Sequence, residues 1–151
     1  MEHKDHMLLA VKEAEEAAAM GEVPVGCVIT DAEGNVIAAA HNLTETNKDA
    51  TAHAELLAIA EAQKKLGRRL NGCTLYVTLE PCPMCAGAIL LSRISSVVFG
   101  ARDWDRGALL SNANLSHTFL GADLQVLEGI SEEACEKILK DFFARCRESK
   151  R

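Results

Sequence analysis

Apolar residues Met7, Leu8, Val11, Ala14 and Ala18 recur near helical spacing through an Ala- and Glu-rich stretch. This predicts a helix from about His6 to Met20, stopped by Gly21. The pattern then shortens. Val25-Gly26-Cys27-Val28-Ile29-Thr30 reads as a buried strand, and Asp31 to Asn35 as a hairpin loop into a second strand, Val36 to His41. A polar loop from Asn42 to Asp49 precedes a helix capped by Thr51 and ended near Leu66 by Gly67. Thr74 to Leu79 is β-branched and apolar, a third strand, and it leads into a helix that has Pro81 in its first turn and runs to about Leu91. Ser96 to Gly100 is a fourth strand and Leu124 to Glu128 a short fifth. A last helix is capped by Ser131, with Glu132 and Glu133 favourable in its first turn and Arg145 and Arg147 in its last. Ile138, Leu139, Phe142 and Phe143 form its apolar face.

The order α-β-β-α-β-α-β-β-α, a hairpin followed by β-α-β units, implies a mixed five-stranded sheet covered by helices, a three-layer α/β/α sandwich. At 151 residues and 48% hydrophobic content the chain suits one domain, residues 1–151, with a real core. The stretch from Ala101 to Asp123 is too long for a plain connection and is expected to be functional.

The beginning of the chain, Met1-Glu2-His3-Lys4-Asp5-His6, is polar, and no apolar run approaches the ~18 residues of a membrane span. A cytoplasmic protein without a membrane partner is the expectation. That changes the meaning of the six cysteines: where thiols stay reduced, the close pair Cys82/Cys85 points to metal or redox chemistry. Cys27, Cys73, Cys135 and Cys146 read as small core residues. A net charge of −6 argues against a pure nucleic-acid-binding module. Two basic clusters stand against that balance, Lys64, Lys65, Arg68 and Arg69, and Arg145, Arg147, Lys150 and Arg151.

Cys82-Pro83-Met84-Cys85 puts two sulfurs on the first turn of a helix, where the dipole and free N–H groups favour thiolate. Alone, C-x-x-C reads as thioredoxin-like redox chemistry or as half of a structural zinc site. The chain has no second C-x-x-C and no H-x-x-x-H to complete four ligands. Three protein ligands plus water is the pattern of catalytic zinc. His53, at another helix start after a strand, supplies the third ligand, and Glu55 two residues on is placed as general base. A non-catalytic zinc module remains the rival of a different class.

His53-Ala54-Glu55 with Pro81-Cys82-Pro83-Met84-Cys85 resembles the H-x-E…P-C-x-x-C signature of zinc-dependent base deaminases. The likeness is to the bacterial tRNA adenosine deaminase branch of the cytidine/deoxycytidylate deaminase family. It is carried by Glu22-Val23-Pro24-Val25-Gly26, Thr51 to Glu55, Leu75 to Cys82, Met84 to Ala88, Ser92-Arg93-Ile94, Val97 to Asp103 and Asp141-Phe142-Phe143. The resemblance implies a cytidine deaminase-like sandwich and one zinc per chain on His53, Cys82 and Cys85. It further implies hydrolytic conversion of a wobble adenosine to inosine, with Glu55 moving protons, and a homodimer that binds the tRNA anticodon arm. Asn42 is implied to touch the flipped base or its ribose, Asp103 to lie beside the RNA backbone, and Val25, Ala54 and Pro81 to line the base site. Trp104 could stack on a base or close a smaller pocket.

Three departures bear on the substrate. Asp49-Ala50-Thr51-Ala52-His53 lacks the family's proline, Trp104-Asp105 replaces a Pro or Ala followed by Lys, and Gly121-Ala122-Asp123 replaces an Asn-His. They leave open a free guanine, cytosine or adenosine type of base or nucleoside as the alternative substrate. His3, His6, His41 and His117 receive no role.

Overall fold

The computed structural model describes residues 2–117 and 124–149. Among the described residues nine helices and strands run in the expected order, with one 3₁₀ turn besides: α1 (His3–Ala19), β1 (Gly26–Thr30), β2 (Val36–His41), α2 (Ala54–Leu66), β3 (Thr74–Leu79), α3 (Pro83–Leu91), β4 (Ser96–Ala101), the 3₁₀ turn (Leu115–His117), β5 (Gln125–Leu127) and α4 (Glu132–Ser149).

β1 is buried at all five positions because both of its faces are covered. Cys27 and Ile29 enter a core with Ala58 and Ala62 of α2 and Ala86 and Ile89 of α3. Val28, between them, joins Met7, Ala10 and Val11 of α1 and Cys135 of α4 on the other face. The same alternation divides Leu75 and Val77 from Tyr76 on β3, and Val97 and Phe99 from Val98 on β4. Helices on both faces of one sheet make the three-layer α/β/α sandwich. Strand order is β2-β1-β3-β4-β5, with β1 antiparallel to β2 and β3, and β3, β4 and β5 mutually parallel. α1 crosses β1 at Gly26, where an added Cβ would stand 1.9 Å from the Ala10 carbonyl oxygen, so only glycine fits.

The parallel β4–β5 pair also explains the long 102–124 connection, since parallel neighbours need a crossover of a dozen or more residues. Part of its length is therefore topological rather than functional.

Element ends differ from expectation for local reasons. α1 begins at His3 because Glu2 and Asp5 form a reciprocal capping box. Thr51 does not cap α2: its N–H and Oγ1 donate to Asp49 Oδ1 at 2.8 and 2.7 Å, and His53 takes the cap position. Pro81 lies ahead of α3, whose first residue is Pro83, with Cys82 as N-cap. Ser131 precedes α4 at φ 55°, unlike the extended caps of α1, α2 and α3. On α4, Cys135 and Phe142 are buried while Phe143 is 44% exposed, packed edge-on against Phe142 at 5.4 Å. β5 spans only Gln125–Leu127.

Candidate active site and metal centre

The start of α2 and the start of α3, which directly follows β3, lie side by side against the same core. That brings their caps together. His53 is the N-cap of α2, Cys82 that of α3, and Cys85 lies in the first turn of α3. His53 Nδ1 is 3.7 Å from Cys82 Sγ and 3.5 Å from Cys85 Sγ. Tetrahedral zinc with Zn–S of ~2.3 Å and Zn–N of ~2.0–2.1 Å sets an S···N edge of about 3.6 Å. The two observed separations bracket it, so the donor set fits zinc by spacing as well as by chemistry. Both helix N-termini face the cluster and favour thiolate there. Cys85 donates to Cys82, which, with the backbone N–H groups of the turn and His53, holds the Cys82 thiol down at about 5. Beside that thiolate, and by burial, Cys85 is pushed upward. Two sulfurs sharing one proton take up a dication readily, since the metal supplies the charge that lets both ionise.

Glu55, one residue into α2, is 4% exposed, and burial raises its carboxyl to about 7. It lines a cleft of about 210 Å³ together with His53, Cys82, Val25, Asn42, Ala54 and Asp103. Sites for drug-sized ligands run to ~300–1,000 Å³, so this one suits a single planar base. Pro81 and Trp104 lie outside the lining. Pro81 is buried and its carbonyl accepts the Ala108 N–H at 2.9 Å, so it fixes the loop after β4. Val23, Thr44, Leu79, Glu80 and Arg106 complete the wall, and sequence reasoning assigned none of them a role. A carboxylate directly before Pro-Cys was the available signal for Glu80.

Two buried carboxylates fasten the loops that form the rim. Glu22 accepts the N–H groups of Glu45 and Thr46 at 3.0 and 2.6 Å, anchoring the turn after Asn42. Glu80 accepts the N–H groups of Asp103, Leu109, Leu110 and Ser111 and the Ser111 hydroxyl, anchoring the loop after β4. Burial alone would raise both pKa values; the hydrogen bonds outweigh it and hold both carboxyls below the usual range. Asn42 is part of the first loop's frame, its Nδ2 donating to the Val23 carbonyl and its Oδ1 accepting the Thr44 N–H. Its carboxamide keeps one further N–H and one lone pair for a ligand. Asp103 caps the second loop, with Oδ1 accepting the Asp105 and Arg106 N–H groups at 3.3 and 3.1 Å.

Glu13, Glu16 and His41 also bring three ligand atoms within 4.8 Å, but Glu16 is two-thirds exposed and His41 is already paired with Glu13 at 3.1 Å. Among the other histidines, His3 bonds Tyr76 Oη and His6 packs on the Tyr76 ring. Gly121 to Asp123 lie outside the described residues, as does the His117 side chain.

Residues 1–101 match the family of the cytidine and deoxycytidylate deaminase zinc-binding region. The chain is 48% identical to a tRNA-specific adenosine deaminase of Bacillus subtilis (strain 168), over 97% of this chain and 91% of that protein. A solved structure from work on A-to-I editing by tRNA:A34 deaminases at the wobble position superposes with TM-score 0.85 at 41% identity, covering 89% of this chain and 99% of that one. The guanine deaminase of Nitrosomonas europaea superposes with TM-score 0.82 at 26% identity, covering 93% of this chain and 84% of that one.

Proposed function

The chain belongs to the cytidine and deoxycytidylate deaminase family, and from that premise we propose that it converts the wobble adenosine of a tRNA anticodon to inosine by hydrolysis. It is a zinc-dependent hydrolase of C–N bonds, with one zinc per chain. The single observation that carries the reaction is the spacing of His53, Cys82 and Cys85 beside a buried Glu55 in a base-sized cleft. The choice of tRNA rests on near-full-length likeness to the Bacillus relative.

His53, Cys82 and Cys85 hold the zinc. When bound, zinc supplies a water acidified to about pKa 7. Glu55 takes one proton from the attacking water and delivers it to the ring nitrogen, then carries the proton of the new hydroxyl to the departing amine, so that adenosine and water give inosine and ammonia. Asn42 orients the base or ribose through its spare N–H and lone pair. Val25 and Ala54 supply apolar wall, Pro81 holds the far loop, and Asp103 keeps that loop at the phosphate side.

All six cysteines are free, which suits the reducing cytoplasm. No helix among the described residues is long and apolar enough to cross a membrane. The chain works as one domain and as a homodimer. α3 is apolar on every side, and its outer residues Met84 and Leu91 are 36% and 69% exposed, a face that a second copy would cover.

The likeness to a guanine deaminase and the small cleft favour a free base as the second reading. A substrate panel separates the two. Zinc-loaded enzyme is offered an anticodon stem-loop with a wobble adenosine, free adenosine, guanine, cytosine and their nucleosides, and ammonia release is followed. Release from the stem-loop alone supports the tRNA reading; turnover of a free base with an inert stem-loop overturns it.

A further inference from the structure

Trp104 is the chain's sole tryptophan and is 70% exposed, just outside the cleft that Arg106 helps to line. An indole exposed beside the mouth of the cleft offers a large, rigid face on which a planar group can stack. One ring face is already occupied: the Arg102 guanidinium sits 4.8 Å from the ring centroid and is itself fixed by two bonds to Glu128, at 2.8 and 2.9 Å. The ring is thus backed by an anchored cation on one side.

The loop that carries both residues is fastened at each end to Glu80, through the Asp103 N–H and the N–H groups of 109–111. At Gly107 an added Cβ would come within 2.3 Å of Glu80 Cδ and 2.5 Å of the Asp103 carbonyl oxygen, so the turn packs directly onto the carboxylate. Trp104 and Arg106 therefore project from a pre-organised platform. Among the described residues Arg106 makes no ion pair, and Asp103 Oδ1 is turned into backbone N–H groups. Arg106 is the cation of this loop that lines the cleft.

We infer that Trp104 and Arg106 form a second subsite for the nucleotides flanking the reacting one, Trp104 stacking on a neighbouring base and Arg106 binding a backbone phosphate. The inference rests on the polynucleotide reading above and deepens it, because a free base or nucleoside has neither group to offer.

The tryptophan makes the test direct. Zinc-loaded Glu55→Ala enzyme, which holds RNA without consuming it, is titrated with the anticodon stem-loop and, separately, with free adenosine. Trp104 emission falls and saturates with the stem-loop and does not move with adenosine. In the otherwise intact enzyme, Trp104→Ala raises KM for the stem-loop about tenfold or more, with Trp104→Phe restoring most of it. Arg106→Ala raises KM and lowers the slope of log(kcat/KM) against log salt by about 1, while Arg106→Lys keeps the slope. An unmodified enzyme inert toward the stem-loop sinks the parent reading and this subsite with it. An active enzyme whose Trp104 emission is unmoved by bound stem-loop, or whose alanine variants keep both KM and salt slope, sinks the subsite alone.

Discussion

Glu55 has no share in the proposed ligand set, and that separates its two candidate duties. Glu55→Ala removes the proposed proton carrier and leaves His53, Cys82 and Cys85 in place. The variant should keep one zinc per chain by elemental analysis while ammonia release falls roughly 10²–10⁴-fold. Zinc lost along with activity would mean that Glu55 serves the metal instead. The thiols give a second test at the same scale. Burial pushes the Cys27 thiol far up and the Cys135 thiol to about 12, whereas Cys82 lies at about 5. In the folded, zinc-loaded protein a thiol-specific chromogenic reagent should spare Cys27 and Cys135. Chelation should expose Cys82 as the fastest-reacting new thiol, because it is partly exposed and its thiol is held down at about 5. Equal labelling before and after chelation would contradict its place in the metal centre.

At the scale of the element, α1 seats on β1 only because position 26 has no side chain. Gly26→Ala should force the helix off the strand and cost roughly 1–3 kcal/mol, read as a Tm lower by several degrees. An unchanged Tm would mean that the helix shifts freely. The loop after Asn42 depends on Glu22, fully buried and held below its ordinary value of 4.5. Its carboxylate stabilises the fold in full above that value, and the contribution is lost as pH falls through the lower folded pKa. Glu22→Gln should therefore flatten the acid limb of a stability-against-pH curve, measured by denaturant unfolding at several pH values. A curve parallel to that of the unsubstituted protein would remove Glu22 as the anchor.

Element order was readable from periodicity, because each strand and helix declares its own face within a few residues. The ends were harder: Thr51 looked like a cap until Asp49 claimed its hydroxyl and left the position to His53. The rim was readable only in part: the resemblance pointed to Asn42 and Asp103, which line the cleft, but not to the carboxylates that fasten its loops. Glu80 meets its partners 23 to 31 residues downstream, and nothing local in the sequence announces a carboxylate that organises a remote loop. The metal cluster was legible because its spacing is fixed by coordination chemistry rather than by packing.

For the molecule as a whole, a net charge of −6 stands against the polyanionic substrate proposed for it. Binding of such a substrate would have to come from local cations rather than overall attraction, the part proposed for Arg106 at the cleft. The proposed homodimer is testable on α3: Leu91→Glu should shift the protein to monomer in light scattering without loss of zinc, since Leu91 is 69% exposed and lies at the end of the helix remote from Cys82. A dimer that survives the change would place the interface elsewhere.

The central claim, water-dependent deamination of one adenosine within a tRNA anticodon, is tested most directly by isotope. The zinc-loaded enzyme is incubated with the stem-loop in heavy-oxygen water, and the product is sequenced by mass spectrometry. Inosine carrying the heavy oxygen at the wobble position, absent with Glu55→Ala, is the predicted result. An unlabelled stem-loop beside a labelled free base or nucleoside would contradict it.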